Sequence, residues 1–314
     1  MAVSFTPTTP NKNATRDTAL TLYTGEVIKA FTRKNVALNT VSTRTINGGK
    51  SAQWIVTGQA ADTDVTAHTP GADIATKVLA NDEVIITVDT RYYYSHFLDD
   101  LDMKLAQYDI RSELAKQAGE ALATKIDKEV FQGVYNMRTI VDAGTGLKPG
   151  QQPASIIKAT GYDAATTAEA RGNALIEAMF AGVTALNEKD VTAEPIMVTQ
   201  PANYYNLVQS TRGTNQDFTN NNGGIDSGNI SQIAGIMTTW TNHLPVITGT
   251  GNFTLHGMMY TKDVYGVVKA MDITTESSRE TSKLGDLLVS YYALGHGPLN
   301  PTGLVQIEND VALA

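Results

Sequence analysis

A limb that cannot bury itself constrains this chain more than any other feature. Residues 41–46 are rich in Val, Thr and Ile, and Asn47-Gly48 follows. That dipeptide favours a tight hairpin because both turn positions tolerate positive φ. Ala52, Trp54 and Val56 then alternate with polar neighbours, as do Val84, Ile86 and Val88. This is the period of half-buried strands. Between the two runs, Gly58 to Asp82 is rich in Ala, Thr, Asp and Gly, with Pro70-Gly71 as a turn. A solitary hairpin is marginal in water. The 41–89 excursion therefore lies either on its own domain or on a neighbouring subunit, and pattern alone leaves both open.

The rest of the chain supplies ordinary elements. Residues 1–16 are polar and read as an extended arm. Asp17 can cap a helix over 17–33, in which Leu20, Tyr23, Val27, Ala30 and Phe31 share a face. The clearest helix is 107–135. Ile110, Leu114, Ala118, Ala121, Leu122, Ile126 and Val130 form its apolar stripe. Asp109 stands at its N-cap position, and Arg111, Glu113, Lys116, Glu120, Lys125 and Glu129 take mostly the wet side. Such a helix spans roughly 40 Å, the length of a strut. Residues 139–165 read as loop with a short hairpin, and 166–187 as a second helix with Leu175, Ile176, Met179, Phe180, Val183 and Leu186 on one stripe. Pro195 to Thr199 reads as a buried strand, and Pro201 can open a helix after it. The Asn- and Gly-rich stretch 211–230 predicts a loop. Short strands follow at 233–240, 253–260, 264–270, 286–292 and 303–308. The succession implies an α/β or α+β second domain, and the chain as a whole is assigned to the α+β class.

Composition narrows the function. The 314 residues carry 24 Lys+Arg against 32 Asp+Glu, a net charge of -8. An acidic chain is a poor match for phosphate recognition, which needs a basic surface. Cysteine is absent, which excludes disulfides, thiolate metal sites and cysteine nucleophiles. No run of 18 apolar residues exists to cross a membrane, and the N-terminal stretch lacks an apolar signal core.

Candidate chemistry is sparse. Gly48-Gly49-Lys50-Ser51 matches the end of a phosphate-binding loop, but the leading glycine is replaced by Arg44, and Ser51 to Val56 alternates like a strand instead of opening a helix. His68, His96, His243, His256 and His296 show no metal-ligand spacing. Asp99, Asp100 and Asp102 precede the long helix, where carboxylates compensate the helix dipole or cap. No catalytic residue, cofactor site or metal site is assigned.

Several stretches carry a resemblance. Gly25-Glu26-Val27-Ile28-Lys29-Ala30-Phe31, Gly49-Lys50-Ser51-Ala52-Gln53-Trp54 and Glu83-Val84-Ile85-Ile86-Thr87-Val88-Asp89 resemble the arm and extended loop of major capsid proteins of autographivirus-type short-tailed phages (podoviruses). Tyr108-Asp109-Ile110-Arg111-Ser112-Glu113 resembles the start of their long spine helix. Tyr292-Ala293-Leu294-Gly295-His296-Gly297, with Pro301, resembles their closing segment. The matches occur in the family's order; residues 139–190 and 211–285 fit by layout alone.

The resemblance implies the Hong Kong 97-type phage capsid fold. It places the N-terminal arm and a short helix at 1–40 and the extended β loop at 41–89. A peripheral domain with the spine helix takes 90–190, an axial domain 191–275, and a return to the peripheral domain 276–314. It marks Lys50, Ser51, Trp54, Asp109, Arg111, Glu113, Gly295, His296 and Gly297 as assembly residues. The expected function is self-assembly into hexamers and pentamers of an icosahedral shell around double-stranded DNA, without catalysis. The expected partners are further copies, a separate scaffolding protein, a portal protein at one vertex, and packaged DNA without sequence-specific contact. No membrane is involved. The site of action is the virion, after assembly in the host bacterial cytoplasm. The alternatives are a bacterial encapsulating nanocompartment shell protein and a phosphate-binding α+β enzyme.

Overall fold

The computed structural model describes residues 12–60, 62–71, 73–74, 76–101, 110–211, 223–224, 229–230, 232–247 and 253–310. Residues 1–11, Asp109 and most of the 211–230 loop lie outside them. Helix α1, Lys12–Lys34, buries Tyr23, Val27 and Phe31. Asp17 falls inside it, so it does not cap, because a cap residue must precede the first turn. Helix α2 is a single turn, Ala37–Thr40, and strand β1 is Ser42–Thr45.

A hairpin from β1 through Asn47-Gly48 does not form. Gly48 and Gly49 have φ of 88° and 87°, and two successive left-handed residues turn the chain through a corner instead. Strand β2, Ser51–Thr57, then pairs antiparallel with β3, Asn81–Thr87. The reason lies in the partners. Val84 and Ile86 give Trp54 and Ala52 apolar neighbours, which the polar Ser-Thr-Arg-Thr of β1 cannot.

Strand β4, Arg91–Asp99, has no clean alternation in sequence, because Tyr92, Tyr93 and Tyr94 are consecutive. Helix α3, Ile110–Asn136, matches the long stripe. Leu114, Ala118, Leu122, Ile126 and Val130 are buried as expected, but Ala121 is exposed. Ala115, Ala123, Asp127, Phe131 and Val134 widen the buried face instead. Strand β5, Ser155–Ala159, occupies a stretch expected to be mainly loop. Helix α4, Ala168–Asn187, is capped by Thr167, whose Oγ1 accepts from the Ala170 N–H at 3.2 Å. Its stripe is as expected, except that Phe180 is exposed. Strand β6, Ile196–Thr199, leads into α5, Pro201–Gln209, which has proline in its first turn. The closing strands are β7 (Gln232–Ile233), β8 (Ile236–Trp240), β9 (Leu255–Tyr260), β10 (Tyr265–Glu280), β11 (Gly285–Pro298) and β12 (Leu304–Asn309). Strands β10 and β11 run well past their expected ends.

The chain divides into two compact units. The first comprises the chain up to Asn35, residues 89–126 and 269–294. In it β4 pairs antiparallel with β11, from Gly285 opposite Asp99 to Ala293 opposite Arg91. Tyr23 and Val27 of α1, Leu114, Ala115 and Ala118 of α3, and Leu98 and Leu288 of the strands form its core. Helices α1 and α3 approach closely at Gly119, where a Cβ would sit 2.5 Å from the Val27 carbonyl oxygen. The acidic run before α3 divides between the expected capping and an ion pair, with Asp102 outside the described residues. Asp100 holds the guanidinium of Arg279, with Nη1 at 2.6 Å, and Asp99 Oδ1 accepts from the Leu101 N–H at 2.7 Å.

The second unit, residues 36–88, 127–268 and 295–314, holds a six-stranded sheet in the order β5-β12-β9-β6-β8-β7. Strand β12 is parallel to β5 and antiparallel to β9, while β6 is antiparallel to β9 and parallel to β8. Helices α4 and α5 cover it through Leu175, Ile176, Met179, Tyr204 and Leu207, against Met197, Met259, Val305 and Ile307. His256 on β9 is 4% exposed, packs against Tyr162 with ring centroids 3.9 Å apart and planes tilted by 42°, and its Nε2 has no hydrogen-bond partner among the described residues.

Two outcomes follow. Gly119→Val should destabilise the protein by about 1–3 kcal/mol, read as a lowered thermal midpoint, whereas Ala121→Ser on the exposed side should change it by less than about 0.5 kcal/mol. Burial lowers the His256 pKa to about 4. The unfolded chain therefore takes up a proton near pH 6.5 that the folded chain refuses until about pH 4. Stability should fall across that window by on the order of 3 kcal/mol, and His256→Gln should flatten the fall, measured by urea unfolding at several pH values.

Candidate assembly surfaces

The projecting loop is held at its root. Its β2/β3 ribbon runs from Ser51 opposite Thr87 to Thr57 opposite Asn81. One face, with Ala52, Trp54, Val84 and Ile86, packs on Val268 and Leu299. Arg44 covers the Trp54 ring at 4.9 Å and donates from Nη1 to the Gln53 carbonyl at 2.6 Å. Farther out, Gly58 donates to the Ala80 carbonyl at 2.7 Å. Lys148 Nζ reaches Asp82 at 2.9 Å. That hydrogen bond, helped by the Glu83 N–H, holds the Asp82 carboxyl below its ordinary pKa.

The other face and the tip are bare. Ile55 is 79% exposed, Ile85 54%, Val65 and Ile74 81% each, and Val78 96%. Single exposed aliphatics are normal, but a cluster of this kind on one limb marks an interaction surface.

The closing segment meets the root of the loop. A Cβ on Gly295 would lie 2.3 Å from the Thr87 carbonyl oxygen, and one on Gly297 would lie 3.2 Å from Ile86. The first position excludes any side chain. Between them His296 accepts or donates at Nδ1 with the Tyr265 hydroxyl at 2.7 Å, and its Nε2 lies 3.8 Å from Glu129. Burial pulls the His296 pKa down and pushes that of Tyr265 up. Lys50 and Ser51 stand on the same root, where the Lys50 carbonyl accepts from the Val88 N–H at 2.8 Å. Of the expected assembly residues, Lys50, Ser51, Gly295, His296 and Gly297 therefore converge, and Trp54 lies just beyond them on β2. Arg111 and Glu113 belong to the other unit, on the first turns of α3, where Glu113 accepts from Gln117 at 3.3 Å. Asp109 is outside the described residues. Ser51 opens a strand, so the Gly48–Ser51 turn presents no helix N-terminus to a phosphate.

Sequence reading missed a polar clamp. Asp127, on the buried face of α3, accepts from the Val36 N–H at 3.1 Å and the Ala37 N–H at 3.1 Å, and pairs with His243 Nδ1 at 2.9 Å. It fixes the lead-in to the loop. Burial raises its pKa, and the His243 and backbone hydrogen bonds oppose that rise. The signal was available, since a carboxylate interrupts an apolar stripe between Ala123 and Val130. A second buried carboxylate, Glu308, lies between Arg138 and Lys158 Nζ, the latter at 2.8 Å.

A family model described as Gp10A-like, major capsid protein, matches residues 60–308. The chain belongs to the Gp10A-like major capsid protein family. It is 27% identical to the major capsid protein of Escherichia phage T7 over 90% of this chain and 89% of that one. It is equally 27% identical to the T7 minor capsid protein, over 94% of this chain and 80% of the relative. Among solved structures, the capsid of cyanophage P-SCSP1u superposes with a TM-score of 0.70 at 27% identity, covering 86% of each chain. The fold is the Hong Kong 97-type phage capsid fold, and the family's place is in the virion shell.

Removing the clamp has a direct cost. Asp127→Ala strands His243 and two backbone donors and should destabilise the chain by about 3–5 kcal/mol, whereas His243→Ala, at a more accessible position, should cost less. Urea unfolding measures both.

Proposed function

We propose that the chain acts by geometry and not by catalysis, assembling as hexamers and pentamers into a closed icosahedral head around double-stranded DNA. The observation that carries this reading is the bare tip of the loop. Its aliphatics stay in water unless another copy covers them. Each contact can be weak because closure multiplies contacts. The surface that gives differs from the surface that receives, so the interface is heterologous and rings close around axes. The loop at 41–89 and the arm at 1–16 supply most of the area between copies.

The spine helix with β4, β10 and β11 forms the peripheral part in this reading. Strands β5 and β12 share a sheet with the strands of 191–275. We therefore assign that whole sheet, with α4 and α5, to the axial part in place of 191–275 alone. Lys50, Ser51, Trp54, Gly295, His296 and Gly297 set the angle at which the loop leaves the body, while Asp109, Arg111 and Glu113 sit on or before the start of the spine. A scaffolding protein shapes the shell, a portal occupies one vertex, and assembly takes place in the host bacterial cytoplasm. The net charge of -8 suits a wall that does not grip its DNA.

Deleting Gly58–Asp82 from the full chain tests the reading. The expected product is folded, unassembled protein in sedimentation and electron microscopy. Shells at parental yield would sink the reading.

A further inference from the structure

The exposed side of α1 carries cations that make no ion pair among the described residues. Leu22, Lys29 and Arg33 follow one another at steps of seven and four residues, so they lie on one stripe of the helix. Leu22 is 59% exposed. Lys29, Arg33 and Lys34 are exposed, and among the described residues none makes an ion pair. Glu26, in the turn before Lys29, makes none either. The helix C-terminus favours cations nearby, but it does not account for a large aliphatic left in water beside them.

The opposite inventory stands on the loop. Between Gly58 and Glu83 there are Asp62, Asp64, Asp73, Asp82 and Glu83 against Lys77 alone. Asp64 pairs with Lys77 at 3.4 Å, and Asp82 with Lys148 at 2.9 Å. Asp62, Asp73 and Glu83 remain, exposed and without a cationic partner among the described residues. Beside them Val65, Ile74, Val78 and Ile85 are bare.

We infer that the acidic, aliphatic tip of one copy's loop docks on the exposed, cationic second half of α1, Leu22 to Lys34, in a second copy. The two surfaces are opposite in sign and equal in the number of unmatched charges named on each, and each carries exposed aliphatics among them. This inference rests on the reading of the loop as a limb that lies on neighbours, and it names the receiving surface. Aliphatic burial supplies the area. The ion pairs fix register and partner more than affinity. Phosphate of nucleic acid would satisfy the cations, but it would leave Leu22 and the unmatched loop carboxylates unexplained.

The experiment is a charge exchange in the full chain. One variant carries Lys29→Glu, Arg33→Glu and Lys34→Glu; another carries Asp62→Lys, Asp73→Lys and Glu83→Lys; a third combines all six. Folding is checked by circular dichroism and thermal melting, and neutral Gln and Asn replacements are read instead where a reversal does not fold. Each triple should lower shell yield at least ~10-fold, and the combination should return it to within ~3-fold of the parent, as expected when coupled charges are re-paired. Equal amounts of the two folded triples should also co-assemble into six-membered rings, in which the two can alternate, because each offers the surface the other needs. Parent-like assembly by either triple overturns the inference, as does failure of both the combination and the mixture. DNA retention by the parent that is lost in the Lys29 triple, with normal assembly of the Asp62 triple, assigns the cations to phosphate and also overturns it. If the Gly58–Asp82 deletion assembles, the underlying reading of the loop falls. If the deletion blocks assembly while the Asp62 triple assembles normally, this inference alone falls.

Discussion

Ala52 and Ile86 pack on Val268 and Leu299, and this small apolar junction sets the orientation of everything beyond it. The ribbon has only one face to give. Once that face is used at the root, Ile55 and Ile85 point away from the body. The absence of a side chain at Gly295 lets the closing segment run against the Thr87 carbonyl, while Asp127 grips the backbone just ahead of β1. The root is thus held from three sides by different means: apolar packing, close backbone approach and a buried carboxylate. A limb held this firmly at one end can present bare aliphatics at the other without collapsing onto its own body.

Local pattern carried the helices into the structure with little change. The 107–135 stripe and the 166–187 stripe became α3 and α4 because their apolar spacing matches the helical period over many turns. Errors arose where tertiary contacts outrank local preference. Asn47-Gly48 has the chemistry of a hairpin, but the polar β1 offers β2 nothing to pack on, and β3 does. Ala121 and Phe180 sit at apolar spacing yet face outward, since a helix covered over a limited arc leaves the margin of its stripe uncovered. Three consecutive tyrosines hid β4, whose pairing with β11 depends on residues almost two hundred positions away.

The assembly residues divide in the same way. Gly49 to Trp54 and Gly295 to Gly297 were recognisable as segments, and the fold brings them together at one root. What no spacing could reveal is that a C-terminal glycine makes room for the end of the loop. Asp127 illustrates the complementary case. Its place within an apolar stripe was visible, but its partners, the Val36 and Ala37 amides and His243, come from distant stretches that only the folded chain assembles. Charge was legible only as a total. The net value conceals a cationic helix end and an acidic limb, and the two became distinct once intramolecular pairs such as Lys77 with Asp64 and Lys148 with Asp82 were set aside.

The layer between α4 and the six-stranded sheet is lined by thioethers. Met259 lies against Gly182, and Met197 against Gly257, each so close that a methyl group in place of the glycine hydrogen would meet it. Met179 is fully buried between them and the rest of the core. Methionine rotates about three single bonds and fills irregular gaps readily. This seam is therefore compliant: small slides of helix over strand can be taken up by turning sulfur and methyl groups, without opening a void. Branched aliphatics at the same places would make it stiff.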